Sequence, residues 1–199
     1  MDLSRLSGHV PSEVTDEERE AAVLAPVVSR DERPHLLFVK RSADLSNHAG
    51  QMAFPGGGRE PSDPDLRGTA LREANEEADI DPVETEVVGR LDDIRTTSRY
   101  SIRPSVGRVP DREYVPDGVE VTEVAVLAVE DLTDYANYDS ERRDHPHYGD
   151  IRLHYFRVDG YVVWGATARM LAQLLELTTG WSVPPEPDRH VEPDAEFRV

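Results

Sequence analysis

The chain has 199 residues, 40 of them acidic against 22 Lys or Arg, for a formal net charge of −18, and it contains no cysteine. That length suits one domain with a sizeable core, and the missing thiols exclude disulfides, thiolate metal sites and cysteine nucleophiles. An acidic field of this size disfavours nonspecific nucleic-acid or anionic-membrane binding, and it repels a phosphorylated substrate unless salt screens it or cations mediate.

Residues 1–20 are polar and charged, and they read as a flexible N-terminal arm with at most a short helix near 16–22. They hold no apolar run of signal-peptide length, and no window of the chain approaches a membrane span, so a soluble, cytoplasmic protein is expected. The apolar, β-rich runs "AAVLAPVVSR" and "PHLLFVKR" flank the turn-like "RDERP" and predict a hairpin. Residues 42–64, "SADLSNHAGQMAFPGGGREPSDP", predict a long ordered loop or loop–strand–loop, of a kind that is often functional. A helix is predicted over 64–79, with Asp63 at the N-cap, Pro64 first, and an apolar stripe of Leu66, Ala70, Leu71, Ala74 and Ala78. Asp81-Pro82 ends it.

Strands follow in "ETEVVGRLDDIRT", "SIRPSVGRV" and "EVTEVAVLAV", and a further strand pair in "DIRLHYFRVDGYVVWG". "ATARMLAQLLELTTG" is an amphipathic helix closed by Gly180, and residues 182–199 form a loose C-terminal tail. The domain thus runs over 21–181. Its element order predicts an α/β (α+β) fold, a mixed β-sheet sandwiched between helices, with no regular βαβ alternation.

The stretch "LREANEEADI" sets Glu73, Glu76 and Glu77 within an arc of ~100° beside the apolar stripe. Glu73 and Glu77 form a like-charge i,i+4 pair, which costs a few tenths of a kcal/mol. An isolated "EANEE" reads most simply as a solvated face. The upstream "FPGGGRE" changes that reading, because its glycines let backbone carbonyls and amides approach closely. Clustered carboxylates after such a loop suit a hard divalent cation shared with substrate phosphates, which also relieves the repulsion.

Gly57 or Gly58 followed by "REANEE" resembles the box of the Nudix hydrolases. Pro64 stands where that box carries a glutamate, with Asp63 the nearest acid, and Asp79 stands where it carries a glycine. The upstream "RSADLSNHAGQMAFPGG" is similar to the signature of the coenzyme A pyrophosphatase branch, at Arg41, Ser42, His48, Gly50, Gln51 and Phe54 to Gly57, with Ser46 in place of the usual arginine. "TALREA", "RTTSRYSIRPSVG" and "WGATARMLAQLL" resemble the same branch, so the likeness spans about residues 22–178. The acidic excess, with Lys40 the sole lysine, resembles proteins of salt-loving microbes.

The resemblance implies Mg²⁺- or Mn²⁺-dependent hydrolysis of a nucleoside diphosphate derivative, coenzyme A or its thioesters foremost. The alternatives are ADP-ribose, a dinucleoside polyphosphate, an oxidised nucleotide, or a nucleotide-sensing module that does not cleave. It further implies Glu73 and Glu77 as main ligands, Glu76 sharing a second ion or holding a water, the Gly57 carbonyl as a further ligand, and Arg72 orienting the glutamates. Glu120 is the candidate base from a later loop, with Glu123 as substitute. Candidate substrate contacts are Arg41, His48, Gln51, Phe54, Arg95 and Ser98; for each the plainer reading is a surface, loop or core residue. His145 and His147 in "RRDHPHYGD" have a metal-binding spacing but no third ligand nearby. The protein is expected as a monomer or homodimer.

Overall fold

The computed structural model describes residues 1–44, 49–96, 99–145 and 149–199. A 3-10 helix at Leu3–Gly8 comes first. Strands β1 (Arg19–Arg30) and β2 (Arg33–Arg41) form the expected hairpin through Asp31 and Glu32, both at positive φ. The short strands β3 (Met52–Ala53) and β4 (Gly56–Gly58) lie within the glycine-punctuated loop, and helix α1 (Leu66–Ala78) follows. Then come β5 (Glu86–Arg90), β6 (Ile94–Arg95), β7 (Tyr100–Val109), β8 (Val121–Ala128) and the single-turn α2 (Val129–Leu132). Strands β9 (Tyr138–His145), β10 (Gly149–Val158) and β11 (Tyr161–Trp164), helix α3 (Gly165–Thr178) and the short β12 (Arg189–His190) complete the chain.

The main sheet runs β3-β2-β1-β7-β5, with β4 on β1, β6 on β7 and β8 on β2. It is mixed, because β1 and β7 pair in parallel while their other neighbours are antiparallel. On one side β1 changes partner, from β4 at Ala21–Val23 to β2 at Val27–Arg30. Pro26, which has no N–H to give a ladder, stands between the two pairings. Alternate residues of β1 and β2 face opposite layers. Val23, Ala25, Leu36 and Phe38 pack with α3, whereas Ala22, Leu24, Leu37 and Val39 pack with Ala70, Ala74 and Ala78 of α1. The sheet is therefore buried on both faces between helices, as its element order requires.

Three expectations need correction. The first eight residues dock on the core: Leu3 and Leu6 are buried, the Asp2 N–H donates to the Thr178 carbonyl, and residues 19–22 are strand. Two leucines placed three apart on a 3-10 turn share a face, and that small apolar edge suffices to hold the segment. At α1 the N-cap is Asp65, which accepts from Gly68 N–H, and the C-cap is Asp79 in the left-handed conformation. Asp63 has a different partner, described below. The tail is held too: β12 pairs with β9, and Phe197 packs 4.9 Å from the Trp164 ring. It completes a second sheet, β11-β10-β9-β12, around Glu141 and Arg143, which are buried as an ion pair. Among the described residues no helix is long and apolar enough to cross a membrane.

Candidate active site

Strand β4 brings backbone against the acidic face of α1. A Cβ on Gly56 would meet the Ala22 carbonyl oxygen at 2.4 Å, and one on Gly57 would lie 2.5 Å from Glu73 Oε1. Only glycine lets the strand approach both β1 and the carboxylate this closely. The Gly56 N–H donates to Glu77 Oε2 at 2.9 Å, and Arg41 Nη1 lies 3.8 Å from Glu77 Oε1. Glu77 is 4% exposed, so it sits on the buried side of the helix, not beside the stripe on its open face. Burial pushes its carboxyl up to about 7 against the opposing pull of the Gly56 N–H and Arg41, and Glu73 and Glu120 add to the rise. Glu73 is also raised, first by burial; Arg72 opposes this, while Glu76 and Glu120 reinforce it.

Arg72 fastens the arrangement. Its Nε donates to Asp63 Oδ1 at 2.9 Å, and its Nη2 reaches Asp63 Oδ2 at 3.2 Å, the Gly58 carbonyl at 3.0 Å and Glu73 Oε1 at 3.0 Å. Its Nη1 donates to Glu76 at 2.9 Å. Asp63 accepts in addition from Thr69 Oγ1 and the Glu60 N–H. The fork of donors holds its carboxyl well below the usual carboxylate range, and the Arg72 pKa rises in turn. This role of Asp63 escapes a reading that places it as a cap. The signal for it was the missing acid at Pro64, one position away.

Of the other candidates, Glu120 lies in the turn before β8, where its N–H donates to Asp117 and its carbonyl accepts from Ser42 N–H at 2.7 Å. Its charge is felt by both Glu73 and Glu77. Glu123 is committed elsewhere, accepting from the Tyr161 hydroxyl and facing Lys40. The Arg41 N–H donates to the Gln51 carbonyl, and its Nε is buried without a hydrogen-bond partner among the described residues. Phe54 is core, stacked on Phe38 at 4.9 Å from the connection between β3 and β4; it does not line the cluster. Glu76 is turned outward onto Arg72, with its side chain 57% exposed. Arg95 is exposed and paired with Asp16 and Glu17. Ser46, His48, Thr97, Ser98 and His147 lie outside the described residues.

Among the described residues no three acidic or histidine side chains meet at ligand distance. The donor set nonetheless fits a hard divalent cation on two observations. Burial and neighbouring carboxylates push Glu73 and Glu77 away from the ionised form, a cost that a cation relieves, and Gly57 leaves open the space into which Glu73 projects.

The family profile for the NUDIX domain matches residues 18–148. The chain belongs to the Nudix family. It is 34% identical over 170 residues to a protein of Photorhabdus laumondii named "Uncharacterized Nudix hydrolase NudL", covering 83% of this chain and 88% of that one. The same name belongs to a Citrobacter koseri relative, 39% identical over 160 residues, with 78% and 81% covered. A solved Nudix hydrolase of M. Smegmatis, RenU, overlaps it with a TM-score of 0.49 at 19% identity, over 58% of this chain and 73% of that one. The fold is the Nudix fold and the protein is a Nudix hydrolase. It cleaves the pyrophosphate bond of a nucleoside diphosphate derivative, and Nudix hydrolases generally use divalent metal ions for that reaction.

Proposed function

We propose that this Nudix hydrolase cleaves coenzyme A or its thioesters to 3′,5′-ADP and (acyl-)4′-phosphopantetheine, with Mg²⁺ or Mn²⁺ held by Glu73, Glu77 and the Gly57 carbonyl. The observation that carries the site is the buried Glu77 carboxylate, accepting from Gly56 N–H and facing Glu73, Arg41 and Glu120. The coenzyme A reading draws support from the upstream signature. Gly50 N–H donates to the Arg41 carbonyl and Ser42 N–H to the Glu120 carbonyl, so that segment is tied to the acidic cluster.

A divalent ion supplies charge neutralisation of the diphosphate and acidification of water. The chain's own residues supply the rest. Glu77 and Glu73 are positioned by β4 and Arg72 before substrate arrives, so little reorganisation accompanies the reaction. Arg72 spends its donors on Asp63, Glu73, Glu76 and Gly58, and acts by positioning rather than by touching substrate. Glu120 accepts a proton from the attacking water, whose oxygen bonds to one phosphorus as the bridging oxygen leaves on the other phosphate. Arg41, whose guanidinium lies beside Glu77, is the candidate contact for a substrate phosphate. Glu76 holds Arg72 in place and is available to a second ion.

The test is a product assay in high salt with Mg²⁺ or Mn²⁺, offering coenzyme A, ADP-ribose, NADH and diadenosine polyphosphates beside Glu77→Gln. Release of 3′,5′-ADP from coenzyme A, lost in the variant, is expected. Preference for another substrate refutes the coenzyme A reading, and tight binding without cleavage of any points to a sensor.

A further inference from the structure

The segment that leads into β1 is a run of acids, and every one of them is engaged by an arginine. Glu13 pairs with Arg90 at 2.6 Å, Asp16 and Glu17 with Arg95 at 2.5 and 3.2 Å, Glu18 with Arg99 at 3.3 Å, and Glu20 with Arg59 at 2.7 Å. The segment is also tied by backbone: the Ser101 hydroxyl donates to the Val14 carbonyl, and Val14 N–H to Asp93. Two of these arginines, Arg59 and Arg95, stand in one row across an end of the main sheet. Arg59 N–H donates to the Glu20 carbonyl, Glu20 is in register with Ser101, and Ser101 with Arg95. The row starts beside Gly58, the carbonyl that Arg72 grips, and crosses β1 and β7 to β6, about 14 Å at ordinary strand spacing. Arg19, over the Tyr100 ring, adds a further cation there.

In a chain of net charge −18, such a row beside the carboxylate cluster calls for an explanation. If it served stability alone, exposed pairs would be a weak device. Arg95 is 44% exposed against 67% for Asp16 and 12% for Glu17, and Arg99 is 70% exposed against 67% for Glu18, so Asp16 is the acid most readily displaced from Arg95. Weak, exposed pairs are instead easily exchanged for a better anion. A phosphate monoester carries up to two charges on one group and accepts a guanidinium fork through two oxygens.

We propose that Arg95 forms a binding site for a phosphate monoester carried by the substrate's nucleoside, with Arg59 two strands away at the near end of the row, and that Asp16 and Glu17 occupy this site until the phosphate displaces them. The inference rests on the proposed function to the extent that the substrate carries such a group, as coenzyme A does at its ribose. The acidic segment then acts as an internal competitor. It opposes only nucleotides that carry the extra phosphate, so removing its charges tightens those and leaves the others unchanged.

Calorimetric titration of the full chain with adenosine 3′,5′-bisphosphate and with 5′-AMP tests this without turnover. Arg95→Gln is expected to weaken the bisphosphate about tenfold and leave 5′-AMP within about twofold. Asp16→Asn with Glu17→Gln is expected to tighten the bisphosphate about fivefold, and Glu13→Gln, at the far end of the segment, to change neither. Should the double variant melt early, Asp16→Asn alone gives the same sign at smaller size. Equal affinity of the wild type for both nucleotides overturns the proposal, as does an Arg95 variant that weakens both alike or acidic-segment variants without effect. Turnover separates this from the substrate reading. A protein that cleaves coenzyme A and 3′-dephospho-coenzyme A with the same kcat/KM, in wild type and Arg95→Gln, loses the site and keeps the activity. One that prefers the bisphosphate through Arg95 but cleaves neither keeps the site and loses the substrate.

Discussion

Glu77 destabilises the fold that it serves, and the size of that effect follows from its surroundings. An acid held at about 7 in the fold against an ordinary 4.5 in the unfolded chain costs about 3 kcal/mol once ionised. The unfolded chain releases the proton near pH 4.5 while the fold keeps it until about pH 7, so this residue makes stability fall as pH rises between those values. Glutamine at 77 retains an oxygen to accept from the Gly56 N–H but carries no charge to bury. In EDTA, Glu77→Gln should match the wild type near pH 4.5 and exceed it by up to about 3 kcal/mol at pH 8, read from urea unfolding at fixed ionic strength. Saturating Mg²⁺ or Mn²⁺ should reverse the order at pH 8, because only the wild type gains from the ion. A glutamine variant that is equally or less stable at pH 8 in EDTA would refute the reasoning, and would mean that Gly56 and Arg41 outweigh burial.

Gly57→Ala places a methyl at 2.5 Å from Glu73 Oε1, the far end of a flexible side chain; the fold should lose less than about 1 kcal/mol while activity falls at least about tenfold, by unfolding and product assays on the same sample. Asp63→Asn should lower kcat more than it raises KM, by leaving the Arg72 fork half satisfied, and Asp63→Glu should restore part of the loss. Because the Asp63 pKa is depressed in the fold, its stabilisation is present above about pH 4 and fades as pH falls further, so Asp63→Asn should flatten the acid limb of a thermal-melt profile. Leu6→Ala, which strips a buried side chain packed over Gly89, should cost about 2–3 kcal/mol in urea unfolding, whereas a mobile arm would register no change.

How far the chain could be read varies with how locally each element is determined. Helix α1 and its three glutamates stand out because the stripe of alanines repeats every four residues, and the glycines before it announce a close backbone approach. The β1–β2 hairpin is equally plain, being two apolar runs about a charged turn. Of the second sheet, β10 and β11 were legible as a strand pair, but β9 was hidden, since "SERRDH" has the composition of a surface loop. Its buried charged residues are Glu141 and Arg143, held by each other's charge, by Arg189 and the Tyr155 hydroxyl on Glu141, and by the Ala195 carbonyl on Arg143. The docking of residues 3–6 depends on a contact with Gly89, far away in sequence. At the site, the nearness of Glu73 and Glu77 to β4 follows from the pattern, but the outward turn of Glu76 does not. Wheel geometry treats it as their equal, and the difference arises from the reach of the Arg72 side chain.

The carboxylates and guanidinium of the cluster come, apart from Arg41 and Glu120, from the single stretch 57–77 and the Asp63 within it. What β1 adds is main chain: the Ala22 carbonyl against Gly56, and a ladder along β4. Peptide groups are the same whatever side chain they bear. The scaffold around this stretch is therefore free to exchange most of its residues over evolutionary time, provided it keeps an extended strand at that spot. Relatives that agree with this chain at only 34% to 39% of aligned positions need not have parted from it in chemistry. Divergence should instead concentrate in the reach of the sheet edges, where a new partner for the nucleotide can be tried without disturbing the hydrolytic centre.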